Sequence, residues 1–175
     1  MPRKLSRSEC ALGVERPSAL RGALTRKAIA AKLSGSGDIV IWGGGTQTRS
    51  FTYIDDCVDG TQRIMHSGIT DPINLWSDEL VTINELVDVI EAAVEVDLER
   101  EYDLTKPQGV DGRSLKLLPP LRSGRNSDNT KILDELGWEP PTALRDGMEV
   151  TAEWIEQQMR THREAETTSR FAVAH

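Results

Sequence analysis

Cysteine and histidine are scarce in this 175-residue chain. Cys10 and Cys57 are too few for a disulfide framework. Neither has a histidine or a second cysteine near it at the spacing of metal ligands, and the three histidines are scattered along the chain. Because metal sites need clustered ligands, we predict neither a disulfide-stabilised secreted domain nor a metal protein.

Long apolar runs are also missing. No stretch approaches the roughly 18 residues that a membrane-spanning helix needs. The N-terminus is charged, but no apolar segment follows it as it would in a signal peptide. We therefore expect a soluble, cytoplasmic protein with no membrane partner, long enough for one domain with a hydrophobic core.

Charge is unevenly distributed along the chain. Residues 1–32 contain eight basic and two acidic residues, whereas the remainder contains 13 basic and 26 acidic residues. A basic arm on an acidic body occurs in proteins that bind nucleic acid. This arm has no aromatic residue to stack on bases. We expect residues 1–24 to form an irregular basic leader, with nucleic-acid binding as the less favoured alternative.

The hydrophobic pattern predicts an α/β domain over residues 25–162, because helical spacing of apolar residues alternates with short β-branched runs. The clearest signal is Thr-Ile-Asn-Glu at 82–85, the pattern of a capping box at the start of an amphipathic helix. Further helices are predicted at 24–33, from Asp55 onward, from about 128 to Leu136, and after Pro140–Pro141 with Thr142 as N-cap. The tail at 163–175 is predicted to be disordered.

Strands are predicted on both sides of a glycine turn. Residues 39–42 and 46–54 flank Gly43–Gly45 and should pair as a hairpin, and a further strand is expected at 73–76. The glycines do not form a dinucleotide-binding fingerprint, since the third glycine of that motif is missing and a strand follows where a helix is required.

Two polar segments contain side chains suited to binding phosphate. Arg49 has a planar fork of donors that fits phosphate oxygens, and Gln47 offers both a donor and an acceptor. Arg125 precedes a helix start, where anions are attracted. The alternatives are an ordinary pairing of Arg49 with Asp55 or Asp56, and simple helix capping by residues 127–129.

Residues 42–56, Trp-Gly-Gly-Gly-Thr-Gln-Thr-Arg-Ser-Phe-Thr-Tyr-Ile-Asp-Asp, resemble a signature of the extended short-chain dehydrogenases in the NAD-dependent epimerase/dehydratase family. The version is that of GDP-mannose 3,5-epimerases. Pro-Ile-Asn-Leu-Trp-Ser-Asp-Glu at 72–79, Gly-Arg-Asn-Ser-Asp-Asn at 124–129 and Leu-Gly-Trp at 136–138 follow in the order typical of the family. The resemblance covers about residues 26–158 and implies the C-terminal, substrate-binding part of that α/β fold.

The resemblance also implies which residues contact a GDP-sugar. They are Gln47, Thr48 and Arg49, with Arg125 at the diphosphate and Lys27 as a further contact. In the family, bound NAD oxidises the sugar at C4, protons exchange at C3 and C5, and hydride returns to C4. The implied activity is that of an NAD-dependent nucleotide-sugar epimerase, an isomerase acting on GDP-mannose.

The cofactor-binding Rossmann half of the family has no counterpart in this sequence, and we recognise no catalytic residue. Tyr102 and Lys106 spell the family's Tyr-x-x-x-Lys pair, but at the wrong place, and Arg16 stands where the family has a catalytic lysine. Residues 111–123 look like an insertion ahead of Arg125. We therefore expect the isolated chain to be inactive. A homodimer or a complementary N-terminal chain would complete it; alternatively it is a non-catalytic binding module, a gene remnant, or part of a 4-epimerase or 4,6-dehydratase.

Overall fold

Helices and short strands alternate along residues 20–106, 124–125 and 128–172, the parts of the chain that the computed structural model describes. In chain order the elements are α1 (Leu20–Ser34), β1 (Asp38–Trp42), β2 (Thr48–Ser50), α2 (Ile54–His66), β3 (Leu80–Thr82), α3 (Ile83–Val94), β4 (Glu99–Asp103), β5 (Gly124–Arg125), α4 (Thr130–Leu136) and α5 (Leu144–Ala172).

Helix α3 lies at the centre of the hydrophobic core and contacts both α1 and α5. Its apolar residues recur at helical spacing, so one face is fully buried. The core comprises Ile83, Leu86, Val87, Ile90 and Val94 of α3, Leu24, Ala28 and Ile29 of α1, Ile39 and Ile41 of β1, and Leu144, Met148 and Ala152 of α5. The amphipathic helix predicted from the sequence is confirmed.

The strands form two small sheets, and the predicted hairpin is wrong. β1 pairs in parallel with β4, with Trp42 opposite Asp103. β2 lies between β3, which is antiparallel to it, and β5, which is parallel. Gly43 and Gly45, at φ 79° and 72°, turn the chain away from β1. β3 and β4 escaped prediction because they are short and mostly exposed, without clear alternation.

No strand forms at 73–76, where one was predicted. This segment is held beside β2 by side chains instead of a backbone ladder. The indole nitrogen of Trp76 donates to the Ser50 carbonyl at 3.1 Å, and the Ser77 amide donates to the Thr52 hydroxyl at 2.8 Å. Strand propensity does not distinguish a segment that pairs through its backbone in a sheet from one that is held by side-chain hydrogen bonds.

The predicted capping box is present at the start of α3. The Thr82 hydroxyl accepts the Glu85 amide at 3.1 Å, and the Glu85 carboxylate accepts the Thr82 amide at 2.7 Å. This second bond is the main cause that lowers the pKa of Glu85 from its ordinary value. The predicted stop of α4 at Gly137 is also confirmed, with this residue in the left-handed conformation.

Helix α5 begins differently from the prediction. Thr142 does not cap it, because its amide and hydroxyl both bond to the Asp56 carboxylate, at 3.0 and 2.9 Å. The carboxylate of Glu79 instead accepts the Leu144 amide at 2.8 Å. Asp56 and Glu79, which come from distant segments, thus fix the start of α5. No local sequence pattern indicates this long-range arrangement.

Two helices extend across the predicted domain limits. Helix α1 begins at Leu20, inside the expected leader, and residues 1–19 lie outside the described part. Helix α5 runs to Ala172, through most of the segment that was predicted as a tail. The expected insertion at 111–123 lies outside the described residues.

The turn between β1 and β2 is docked on the N-terminus of α3. The Ile83 amide donates to the Gln47 carbonyl at 3.1 Å, and the Asn84 amide donates to the Gly45 carbonyl at 3.0 Å. A helix leaves its first amides without partners inside the helix, and the turn supplies them. A Cβ at Gly45 would overlap the Asn84 side chain, whose Cγ would be 2.6 Å away. Only glycine permits this approach.

The Thr82→Ala substitution should lower the free energy of unfolding by about 1 kcal/mol at neutral pH, because it removes an N-cap. Urea denaturation measures this loss, and Thr61→Ala on exposed α2, where the hydroxyl bonds only to the Cys57 carbonyl, is the matched control. The pKa of Glu85 is depressed on folding, so its own contribution is present above the unfolded pKa and disappears as the pH falls through the folded pKa. Equal losses in both variants would contradict the role given to the cap.

The Gly45→Ala substitution should destabilise the chain by about 2–4 kcal/mol, through steric overlap with Asn84 and the positive φ. Gly44→Ala is the control one residue away, because nothing lies within 4 Å of a Cβ there. Thermal or urea unfolding should separate the two variants clearly. A Gly45→Ala protein as stable as Gly44→Ala would show that the turn does not dock on α3 as described.

Candidate functional site

The residues proposed to bind substrate lie on three elements. Thr48 and Arg49 are in β2, with Gln47 directly before it. Arg125 is the register partner of Arg49 on the adjacent strand β5. Lys27 lies in α1. The structure thus brings the backbone of two segments that are far apart in sequence side by side.

Gln47 has a buried acceptor without a partner. Its Nε2 donates to the Trp42 carbonyl at 3.3 Å, while Oε1 is buried and accepts no hydrogen bond. Leaving a buried acceptor unsatisfied costs about 1–3 kcal/mol. Such an atom is therefore a natural acceptor for a hydroxyl or N–H of a bound molecule.

No carboxylate in the described part of the chain neutralises Arg49. Its Nη1 donates to the Thr48 carbonyl at 2.7 Å, and among the described residues it forms no ion pair. The alternative that it pairs with Asp55 or Asp56 is wrong, because Asp56 binds Thr142 instead. The half-buried guanidinium keeps donors available for an anion.

Lys27 is close to the same turn as Gln47, although it comes from a helix. Its Nζ lies 5.7 Å from the centroid of the Trp42 ring and donates to the Val40 carbonyl at 3.4 Å. Since Gln47 bonds to the carbonyl of Trp42, this tryptophan joins the two residues. Lys106 also lies 5.7 Å from that ring centroid. Sequence reasoning had dismissed Lys106 together with Tyr102, and nothing local to it revealed the contact.

A recess lies beside α4. It has a volume of ≈ 380 Å³ and is lined by Pro72, Asn74, Asp128, Thr130, Lys131, Asp134 and Glu135. The three acids make it unsuited to a phosphate. Asp128 accepts the Thr130 amide and hydroxyl, and these bonds lower the pKa of Asp128. The N-cap residue Asn129 forms no side-chain cap bond, and it is Asp128, one residue earlier, that accepts the first amide of α4.

The described residues do not form a nicotinamide-cofactor site. The glycine turn leads from β1 into β2, whereas a dinucleotide loop must lead from a strand into a helix whose amides meet the phosphates. In the same part of the chain, no three His, Cys, Asp or Glu side chains are grouped for a metal ion. None of the described helices has the length and apolarity to cross a membrane.

Comparison with known proteins identifies the family. Residues 13–151 match the family model described as GDP-mannose 4,6 dehydratase. GDP-mannose 3,5-epimerase 1 from Oryza sativa subsp. indica is 40% identical over 119 residues, which are 68% of this chain and 28% of that protein. GDP-L-fucose synthase 1 from Arabidopsis thaliana is 34% identical over 134 residues, 75% of this chain and 37% of that protein. The chain therefore spans only part of the length of these relatives.

Solved structures show the same fold. UDP-glucose 4-epimerase from Thermotoga maritima superposes with a TM-score of 0.65 at 23% identity, over 81% of this chain and 40% of that one. GDP-L-fucose synthetase from Naegleria fowleri gives 0.67 at 21% identity, again over 81% and 40%. The two sheets and surrounding helices are thus a recognised part of a larger α/β fold. The match of the family model over most of the chain shows that the protein belongs to the GDP-mannose 4,6 dehydratase family.

Proposed function

We propose that this chain supplies the GDP-sugar-binding part of a nucleotide-sugar epimerase of the GDP-mannose 3,5-epimerase type. The observation that supports it best is the segment at 47–49. Among the described residues, this segment presents a buried acceptor on Gln47 without a hydrogen-bond partner and a guanidinium on Arg49 without a carboxylate partner. The two rice epimerases and the Arabidopsis epimerase, at 39–40% identity, favour GDP-mannose as the sugar nucleotide.

The geometry suits a ligand that has both a diphosphate and hydroxyl groups. Arg49 and Arg125 are register partners on β2 and β5, so their backbones approach a ligand from neighbouring strands. A guanidinium fits phosphate oxygens through two parallel hydrogen bonds. Gln47 would accept from a ligand donor, Thr48 would contribute its hydroxyl, and Lys27 would add a positive charge. Each role is positioning, and none moves a proton or a hydride.

The match with this chain covers only part of the family's enzymes. Curated relatives are much longer, since the match covers 28% of the rice epimerase. Similar solved structures carry NAD or NADP, whereas the described residues offer no such site. We propose that a complementary N-terminal chain, or a second copy of this chain, completes the fold.

The exposed surface supports that proposal. Large apolar side chains face solvent on two helices, with Ile54, Val58 and Met65 on α2 and Val150 and Trp154 on α5. Apolar surface of this kind is usually covered by another chain or domain. The two-stranded parallel sheet of β1 and β4 points the same way, because parallel sheets are normally larger and buried.

The alternative is a non-catalytic binding module of the same family, or a part of a related 4-epimerase or 4,6-dehydratase. All of these alternatives bind a nucleotide through the same residues. They differ in whether the chain takes part in turnover, and in which sugar and base it prefers. A nucleic-acid role for the basic leader depends on residues 1–19, which lie outside the described part.

Calorimetric titration of the 175-residue chain with GDP-mannose tests the proposed nucleotide binding directly. We expect binding that is selective over UDP-glucose, and we expect Arg49→Ala to weaken it by about tenfold or more, since it removes a charge-assisted pair. Arg160→Ala is the control, because Arg160 pairs only with Glu156 on its own helix. Unchanged affinity in Arg49→Ala, or equal affinity for the two nucleotides, would contradict the proposal.

The isolated chain should not turn over GDP-mannose, because the described residues include no cofactor site. Product analysis of GDP-mannose incubated with the pure chain and added NAD should show no epimer. Adding the N-terminal half of a family epimerase should restore activity if the chain is a catalytic part. Turnover by the pure chain would refute this expectation, and failure to restore activity would favour the binding module.

A further inference from the structure

Two lysine ammonium groups meet at one indole ring. Lys27 of α1 and Lys106, three residues after β4, each lie 5.7 Å from the centroid of Trp42. The two ammonium groups are therefore separated by no more than twice that distance. Trp42 ends β1 and is the register partner of Asp103, which ends β4. Both cations thus converge where two parallel strands finish.

In the described part of the chain, the charge at this place is offset only by Asp103, whose pKa is lowered mainly by its hydrogen bonds to Thr105 and further by the charge of Lys106. Among the described residues, neither Lys27 nor Lys106 forms an ion pair. Asp103 is the nearest acid in sequence, but its carboxylate accepts the Thr105 amide and hydroxyl, at 3.0 and 2.6 Å. Cation–π contact stabilises each ammonium only modestly, and the two like charges repel one another. An anion that contacts these ammonium groups would reduce that repulsion.

The location is also one that ligands use. In open α/β sheets, ligands bind outside the carboxyl ends of the strands. The turn with Gly43 and Gly45 starts here, and Gln47 bonds to the Trp42 carbonyl. The buried Oε1 of Gln47 has no hydrogen-bond partner among the described residues, and as an acceptor it suits a hydroxyl of the same ligand and not the phosphate itself.

We propose that Lys27, Trp42 and Lys106, together termed the Trp42 clamp, form a phosphate-binding subsite, with Lys106 as a binding residue that nothing else assigns. This inference rests on the proposed function, in which the subsite takes a phosphate of the nucleotide sugar. Trp42 orients both lysine side chains, and the ammonium groups bind the phosphate oxygens. The clamp places Lys106 in the site although it follows the third helix and is far from the binding segment in sequence.

Inorganic pyrophosphate is the probe that isolates the clamp from recognition of base and sugar. Titrating the full chain with it at low ionic strength should show binding that weakens about tenfold in Lys106→Met, because one charge-assisted contact is lost. Methionine keeps much of the aliphatic contact with Trp42, and Lys106 is exposed, so folding should be preserved. Lys131→Met is the matched control, because Lys131 pairs with Asp71 beside the recess at α4. This substitution should change the pyrophosphate affinity less than twofold.

Parallel titrations with GDP-mannose separate failure of the clamp from failure of the proposed function. No pyrophosphate binding by the unmodified chain, or equal affinity in Lys106→Met, would overturn the clamp. If GDP-mannose still bound selectively and required Arg49, the proposed function would survive that result. Loss of pyrophosphate affinity in Lys106→Met alone, without any preference for GDP-mannose over UDP-glucose, would support the clamp and refute the GDP-sugar assignment.

Discussion

The docking of the β1–β2 turn on the N-terminus of α3 is the constraint on which the candidate site depends. Two backbone hydrogen bonds, from Ile83 and Asn84 to the carbonyls of Gln47 and Gly45, contribute about 1 kcal/mol each. They also satisfy helix amides that would otherwise be left without partners. The same junction starts α3 through the Thr82 cap and ends β3, which pairs with β2. Site, strand and core helix therefore share one anchor.

That anchor is rigid because α3 is buried on its apolar face. Burial of large apolar side chains contributes about 1.5–3 kcal/mol each, and residues such as Leu86 and Ile90 are fully buried between α1 and α5. The long-range bonds of Asp56 to Thr142 and of Glu79 to Leu144 fix α5 against the segments that flank β2. Polar groups at the candidate site can therefore lack hydrogen-bond partners, because the stability of the surrounding fold does not depend on their being paired.

The sequence predicted the features that local chemistry determines. The capping box, the buried face of α3, the start of α2 near Asp55 and the glycine stop of α4 all follow from patterns within one turn of helix. Strand pairing did not follow, because β1 and β4 are separated by 56 residues and the choice of partner depends on packing far along the chain. Gln47 and Arg49 are proposed as binding residues through the family resemblance, whereas Lys106 reaches Trp42 only through the fold.

The central claim is that the segment at 45–49 is held by α3 and forms the ligand site. Amide hydrogen exchange and NMR shifts of the full chain, with and without GDP-mannose, test it most directly. We expect the Ile83 and Asn84 amides to be protected nearly as well as those of Leu86–Ile90, and GDP-mannose to shift the signals of 45–49 most strongly. Rapid exchange at Ile83 and Asn84, or shifts confined to the recess around Asp128–Glu135, would contradict the account.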